Sequence, residues 1–324
     1  MKTVTHETLL KALAPMQDVT DVAFLRVLSR LGSEPDLVVT PYLRSTSTTC
    51  AMGEGPLKCI AENPTAAPVW AQLAGSDAAP LVRDARELMA HWPIAGINLN
   101  AGCPSPLVNR HGAGAALLRE LPRLRSVCLA LRDVLPPGCF SIKCRLGWAD
   151  VQEFEAILEV LAEAQPDMLM VHARTRRELY GGHPHREAVA AAVQRMECPV
   201  LANGDMVTMA DAEAWLAEVQ PAGLMIGRGA VSNPYLFRML RGGAAPNADE
   251  IQAYFLALMD ETSHVFKNYT GAGHCNRMKK YLTYCYAHYF SAEEEYALRR
   301  CTEPADMLRL IRSMQGRRTR ADAF

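Results

Sequence analysis

Cys103 stands at the end of an apolar run, "GINLNAGCP" (96–104), and Pro104 follows it at once. A thiol in that position has three readings: a packing group, half of a metal site, or a reagent. As a reagent it is a nucleophile if a base makes it a thiolate, and a general acid if it keeps its proton until a substrate needs it. The ten cysteines (50, 59, 103, 128, 139, 144, 198, 275, 285 and 301) contain no CxxC pair and no zinc-type Cys/His spacing, so no metal is expected. Other polar residues end apolar runs in the same way: Gln72; Asn98 and Asn100; Lys143 and Arg145; His172 and Arg174; Asn203 and Asp205 around Gly204; Arg228 between Gly227 and Gly229. The glycine turns "ANGD" (202–205) and "IGRG" (226–229) suit a phosphate, because backbone N–H groups can approach an anion there. Lys143 and His172 would then face a cofactor ring. A cationic lysine at the N1–C2 edge of a flavin favours the reduced, anionic form.

These residues need a scaffold that brings run ends together. Eight short apolar runs recur: 9–16, 36–42, 69–75, 96–104, 140–147, 168–175, 198–205 and 223–230. Nearly continuous apolar character suits strands buried on both faces of a parallel sheet. The segments 77–92, 153–164 and 209–219 carry apolar residues at spacings of three and four, which predicts amphipathic helices. Asp18 or Thr20 is the expected cap of the first helix, and the stretch after the second run reads as a loop. Eight strand–helix units predict an α/β fold, a TIM (β/α)8 barrel, whose active site lies at the C-terminal strand ends. A doubly wound sheet would want a GxGxxG after its first strand, and "APMQDVT" stands there instead. "RGGAAPNADE" (241–250) breaks the pattern, and four helical segments follow. The expected domains are a barrel over 1–241 and a helical bundle over 247–324.

The 324 residues carry a net charge of −1, unevenly placed. From residue 262 onward eleven basic residues face six acidic ones, leaving the remainder at −6. A basic end on an acidic body suggests a polyanion held by one end of the molecule. No stretch reaches the roughly 18 apolar residues of a membrane span, and the first twenty residues lack a signal-peptide core. A reducing cytoplasm and free thiols are therefore expected, with no membrane contact.

At its strand ends the sequence resembles the flavin-dependent tRNA-dihydrouridine synthases. The matching motifs are "APM" (14–16), "QLAG" (72–75), "NLNAGCPSPLVNRHGAGAALL" (98–118), "KCRLGW" (143–148), "HARTR" (172–176), "ANGD" (202–205) and "IGRGA" (226–230). The resemblance implies an FMN-binding barrel with a helical tRNA-binding domain. It implies that NADPH reduces FMN, that reduced flavin gives hydride to C6 of a uracil in tRNA, and that Cys103 protonates C5. FMN would contact Pro15, Met16, Gln17, Gln72, Lys143, His172, Asn203, Gly204, Asp205, Gly227 and Arg228. Asn100, Arg145 and Tyr180 match the positions that hold the uracil. The tail, "HCNRMKKYLTYCYAHYFSAEEEYALRR" (274–300), is similar to the bacterial C-type branch acting on uridine 16 of the D-loop, with Arg44, Arg277, Lys279, Tyr284 and Arg300 at its tRNA-orienting positions. A monomer is expected. The sequence departs from the family pattern at Asn98 (usually Asp), at Pro106 (commonly Lys) and after Tyr180, where a tryptophan is missing. The other readings are action at U20/U20a or U17, an FMN barrel reductase of a free pyrimidine, and a non-catalytic tRNA-binding chaperone.

Overall fold

A computed structural model describes residues 9–47, 50–51 and 53–313. Eight parallel strands close into a barrel: β1 (Leu10–Leu13), β2 (Leu37–Val39), β3 (Val69–Ala74), β4 (Gly96–Ala101), β5 (Phe140–Arg145), β6 (Met168–His172), β7 (Val200–Asn203) and β8 (Gly223–Ile226). Closure comes from β1 pairing with β8, Leu13 opposite Ile226, and from β2 pairing with β3, Val38 opposite Val69. All eight predicted runs are strands. A short hairpin, Leu43–Ser45 with Cys50–Ala51, extends the sheet beside β3.

Strand side chains alternate, and that period of two decides what faces the barrel axis. One parity (Leu13, Val38, Val69, Ala71, Leu169, Val171, Ala202 and Ile226) packs outward into the large core beneath the helices. The other parity (Ala12, Leu37, Val39, Trp70, Met170, Leu201 and Met225) forms a separate plug inside. Gln72, Asn98, Asn100, Lys143, Arg145, His172 and Asn203 share this inward parity. They stand above the plug, toward the C-terminal strand ends.

The helices around the barrel are α1 (Val22–Arg30), α2 (Glu54–Ala61), α3 (Ala78–His91), α4 (Leu121–Val134), α5 (Glu153–Glu163), α6 (Arg186–Arg195), α7 (Met209–Val219) and the one-turn α8 (Arg228–Ser232). Three occupy the segments predicted as helices. Two expectations need correction. The stretch after β2 contains α2, whose buried Pro56, Cys59 and Ile60 supply an apolar face too short for the periodicity to show. The cap of α1 is neither Asp18 nor Thr20 but Asp21, whose carboxylate accepts from the Phe24 N–H at 3.0 Å. Thr20 instead accepts from the Met16 N–H through its hydroxyl, and Asp18 takes a left-handed backbone with φ 60°.

Beyond residue 247 come α9 (Ala248–Val265), α10 (Gly271–Leu282), α11 (Ala292–Arg300) and α12 (Pro304–Arg312). A capping box between Asn247 and Glu250 starts α9. This helix lies along α1, with Arg30 bridging to Asp260 and Glu261. Deeper in the junction, Tyr254 donates to the Val231 carbonyl at 2.7 Å and Tyr235 to that of Glu250 at 2.8 Å. Arg277 of α10 is buried against Asp21, which also accepts from the Tyr281 hydroxyl at 2.8 Å. No helix among the described residues is long and apolar enough to cross a membrane.

Candidate active site

The inward strand ends surround a cavity of about 810 Å³. That is the size of an ordinary small-molecule or cofactor site. Pro15, Met16, Gln17, Gln72, Lys143, His172, Asn203, Gly204, Asp205, Gly227 and Arg228 all line it. So do Cys103, Asn100, Arg145, Tyr180 and Tyr284. Arg44, Lys279 and Arg300 lie outside it, and Arg277 is buried at the joint between tail and barrel.

Cys103 is held by its backbone. Its N–H donates to the Asn100 side-chain oxygen at 2.9 Å, and its carbonyl accepts from the Asn109 amide at 2.8 Å and from the Ala115 N–H at 3.0 Å. Gly114 permits this return of the loop. A Cβ there would sit 2.8 Å from the Cys103 carbonyl, and φ is +63°. Burial pushes the thiol above its ordinary value, partly countered by the Ser105 backbone and by the charges of Arg145 and Lys143. The group therefore keeps its proton at neutral pH, while two cations stand ready to stabilise the thiolate left when it gives that proton up.

Behind Asn100 runs a chain of buried amides. Asn100 donates to Gln72 at 2.7 Å, Gln72 donates to Asn98 at 2.7 Å, and Asn98 donates to the Ser141 hydroxyl at 2.8 Å. All four residues are buried. Asn98 is thus a neutral link that both accepts and donates.

Lys143 has no ion pair among the described residues; its ammonium donates to Asn203 at 3.0 Å. Burial, then the charge of Arg145, lowers its pKa to about 8. His172 is driven well below the ordinary histidine range by burial and the same cations, so its ring is neutral. Its Nε2 is buried without a hydrogen-bond partner among the described residues, and the residue lines the cavity. Arg145, buried and lowered to about 10, donates to the carbonyls of Gly102, Thr175 and Leu179. It joins the cysteine strand to the loop carrying Tyr180, which projects more than half exposed at the mouth. Asp205 accepts from Arg228 at 2.5 Å and from Arg174.

The glycines here are steric requirements. A Cβ on Gly229 would lie 1.7 Å from the Met206 carbonyl, and one on Gly227 would meet the Met16 sulfur at 3.0 Å. Among the described residues no group of three or more potential metal ligands is present.

The dihydrouridine synthase family model matches residues 12–316. The chain belongs to the dihydrouridine synthase family. Dihydrouridine synthases are oxidoreductases acting on CH–CH bonds, and this enzyme is similar along nearly its whole length to curated relatives. It is 33% identical to a tRNA-dihydrouridine(16) synthase of Cupriavidus necator, over 95% of this chain and 98% of that one. It is 32% identical to a probable tRNA-dihydrouridine synthase of Rhodobacter capsulatus, over 93% of each. A tRNA-dihydrouridine(16) synthase of Salmonella typhimurium is 30% identical over 93% of this chain and 98% of its own. Among solved structures, the old yellow enzyme of Trypanosoma cruzi shares the barrel fold, with a TM-score of 0.54 at 8% identity over 80% of this chain and 94% of that chain.

Sequence reasoning missed several residues that line this dihydrouridine synthase cavity. Tyr42, in "TPY" just after β2, followed the strand-end rule and could have been found by it. His288 reaches the cavity from the tail, and no local pattern signals that. The basic tail is also partly neutralised: Lys280 pairs with Asp18 at 3.0 Å, Arg299 with Glu295 at 2.7 Å, and Arg277 with Asp21. Arg317, Arg318 and Arg320 lie outside the described residues.

Proposed function

We propose that this enzyme is an FMN-dependent, NADPH-using tRNA-dihydrouridine synthase that reduces the C5–C6 bond of uridine 16 in the D-loop. The observation that carries this reading is the convergence on one cavity of the Cys103 thiol, a lysine with no ion pair among the described residues and every residue expected to hold the flavin. The cavity fits that cofactor. Among the described residues Lys143 faces it without a carboxylate and the buried His172 Nε2 lacks a hydrogen-bond partner, while Gly204, Gly227 and Gly229 line the cavity without side chains. Lys143, His172, Gln72 and Asn203 would hold the ring, and the turns at 203–205 and 227–228 the phosphate. Bound FMN, once reduced, supplies the hydride that adds to C6.

The protein's own residues perform the complementary half of the reduction. Cys103 transfers its proton to C5, so that hydride and proton together saturate the double bond and leave a thiolate. Lys143 and Arg145 lower the energy of that thiolate, and solvent returns its proton. Asn100 and Arg145 orient the uracil, and Tyr180 offers its ring face at the mouth. A stacked base cannot reach this depth, so the nucleotide is extruded into the cavity. That the Cupriavidus and Salmonella relatives are tRNA-dihydrouridine(16) synthases favours position 16. Mapping dihydrouridine in tRNA from cells with and without this protein tests the reading. Loss at position 16 alone is expected; an unchanged map, or loss only at another position, overturns it.

A further inference from the structure

Five arginines at the barrel mouth, away from the helical tail, take no part in the site described above. Arg110, Arg119 and Arg123 follow β4, and Arg176 and Arg177 follow β6, so all leave the barrel at its C-terminal end. None forms an ion pair among the described residues. Four are exposed, and Arg176 is half-buried. The loops that carry them, together with the 147–153 loop between them, hold four carboxylates: Glu120, Asp150, Glu153 and Glu178, the last of which accepts from the Thr175 N–H at 2.6 Å and meets the His185 ring at 2.7 Å. Glu153 is occupied by the N–H groups of Trp148, Ala149 and Asp150.

Trp148 organises the cluster. The guanidinium of Arg119 lies 4.9 Å from its ring centroid and that of Arg176 lies 4.7 Å. Stacking keeps both planar groups extended with their N–H edges free to meet an anion. Arg123 approaches the same loop at Gly112, where a Cβ would come within 3.1 Å of its Nη1. Arg176 also donates to Asn109 at 3.3 Å, and Asn109 holds the Cys103 carbonyl. A ligand on this cluster therefore sits one side chain from the backbone of the reactive thiol.

We propose that Arg119 and Arg176, stacked on Trp148, and Arg123 beside Gly112 form a second phosphate-binding surface, on the barrel, that receives the RNA backbone next to the extruded nucleotide. Polyanion recognition by guanidinium groups without carboxylate partners is the chemistry that fits them, and phosphate contacts fix register without reading sequence. The helical tail would grip the RNA on one side of the mouth and this cluster on the other. Through Asn109 the contact would also steady the loop carrying Cys103. The proposal rests on tRNA being the substrate.

The test is binding of an unmodified tRNA transcript, titrated at several salt concentrations, to the wild-type protein, Arg119→Ala/Arg123→Ala, and Arg195→Ala. Arg195 is an exposed arginine at the far end of α6, opposite the mouth, and serves as the control. Each lost phosphate contact lowers the slope of log K against log[salt] by about 0.7–0.9, so the double variant should lose about 1.4–1.8. Its affinity should fall about tenfold or more at low salt, while Arg195→Ala matches the wild type. Arg176→Ala should raise KM and also lower kcat, because it releases Asn109; Arg176→Lys should restore affinity in part. A double variant with wild-type slope and affinity overturns the proposal, as does an equal loss in Arg195→Ala. If the wild type itself fails to bind the transcript, the substrate reading has failed, and this surface with it.

Discussion

Replacing Lys143 by methionine should make the ligand-free protein more stable and less functional. Burial and the neighbouring Arg145 lower the lysine from its ordinary 10.5 to about 8. At roughly 1.4 kcal/mol per pH unit, that corresponds to about 3 kcal/mol against the charged form in the folded state. The side chain is not fully enclosed, because it borders the cavity, so this is an upper bound. Methionine keeps the volume and removes the charge but gives up the hydrogen bond to Asn203, worth about 1 kcal/mol. A net gain of about 2 kcal/mol at pH 7 follows. The pH dependence carries the sign. The folded pKa lies below the unfolded one, so between about pH 8 and 10.5 the unfolded state holds the extra proton and wild-type stability rises with pH. The advantage of the variant should therefore shrink by about 1 kcal/mol between pH 7 and pH 9. Urea denaturation of both proteins, freed of small ligands, reads this difference, and titrations common to both cancel in it. A variant less stable than wild type by an amount independent of pH would refute the reasoning. It would mean that Lys143 has a partner that neutralises it.

Three further substitutions probe the joints of the site. Asp21→Ala strands the buried Arg277 charge and removes the cap of α1, and should cost about 3–5 kcal/mol in urea denaturation; a loss under about 1 kcal/mol contradicts the pairing. Asn98→Ala takes the acceptor from the Gln72 amide N–H and the donor from the Ser141 hydroxyl and should cost about 2–5 kcal/mol while slowing single-turnover reduction, because Asn100 and the Cys103 backbone lose their support; unchanged rates would separate the amide chain from the thiol. Gly229→Ala puts a methyl against the Met206 carbonyl and should cost about 1–3 kcal/mol and weaken FMN retention, read by denaturation and by flavin fluorescence on dilution. Unaltered retention would show that this turn yields freely.

The barrel was legible because parallel strands buried on both faces leave apolar runs, and because the barrel rule converts run ends into one surface. That is how Gln72, Lys143, His172 and Asn203, far apart in the chain, could be read as neighbours. What was not legible depends on contacts between distant segments. Arg277 reads as one more cation of a basic tail, yet Asp21, more than 250 residues earlier, buries it. Asp21 was passed over as a cap because Asp18 and Thr20 fit the same local pattern; the choice was made by Tyr281 and Arg277 arriving from the tail. The role of Asn98 was equally hidden. The departure from an acidic residue leaves hydrogen bonding possible, but only the fold shows its partners: Asn98 donates to Ser141 while accepting from Gln72. Helix α2 escaped because eight residues with three buried positions give too short a period to distinguish from a loop.

The reduction proposed for this enzyme turns on the Cys103 thiol supplying the proton at C5. Cys103→Ala, purified and reduced with NADPH in the presence of unmodified tRNA, tests it most directly. That variant should still bind FMN and tRNA, still accept electrons from NADPH, and form no dihydrouridine. Dihydrouridine formation at the wild-type rate by that variant would contradict it.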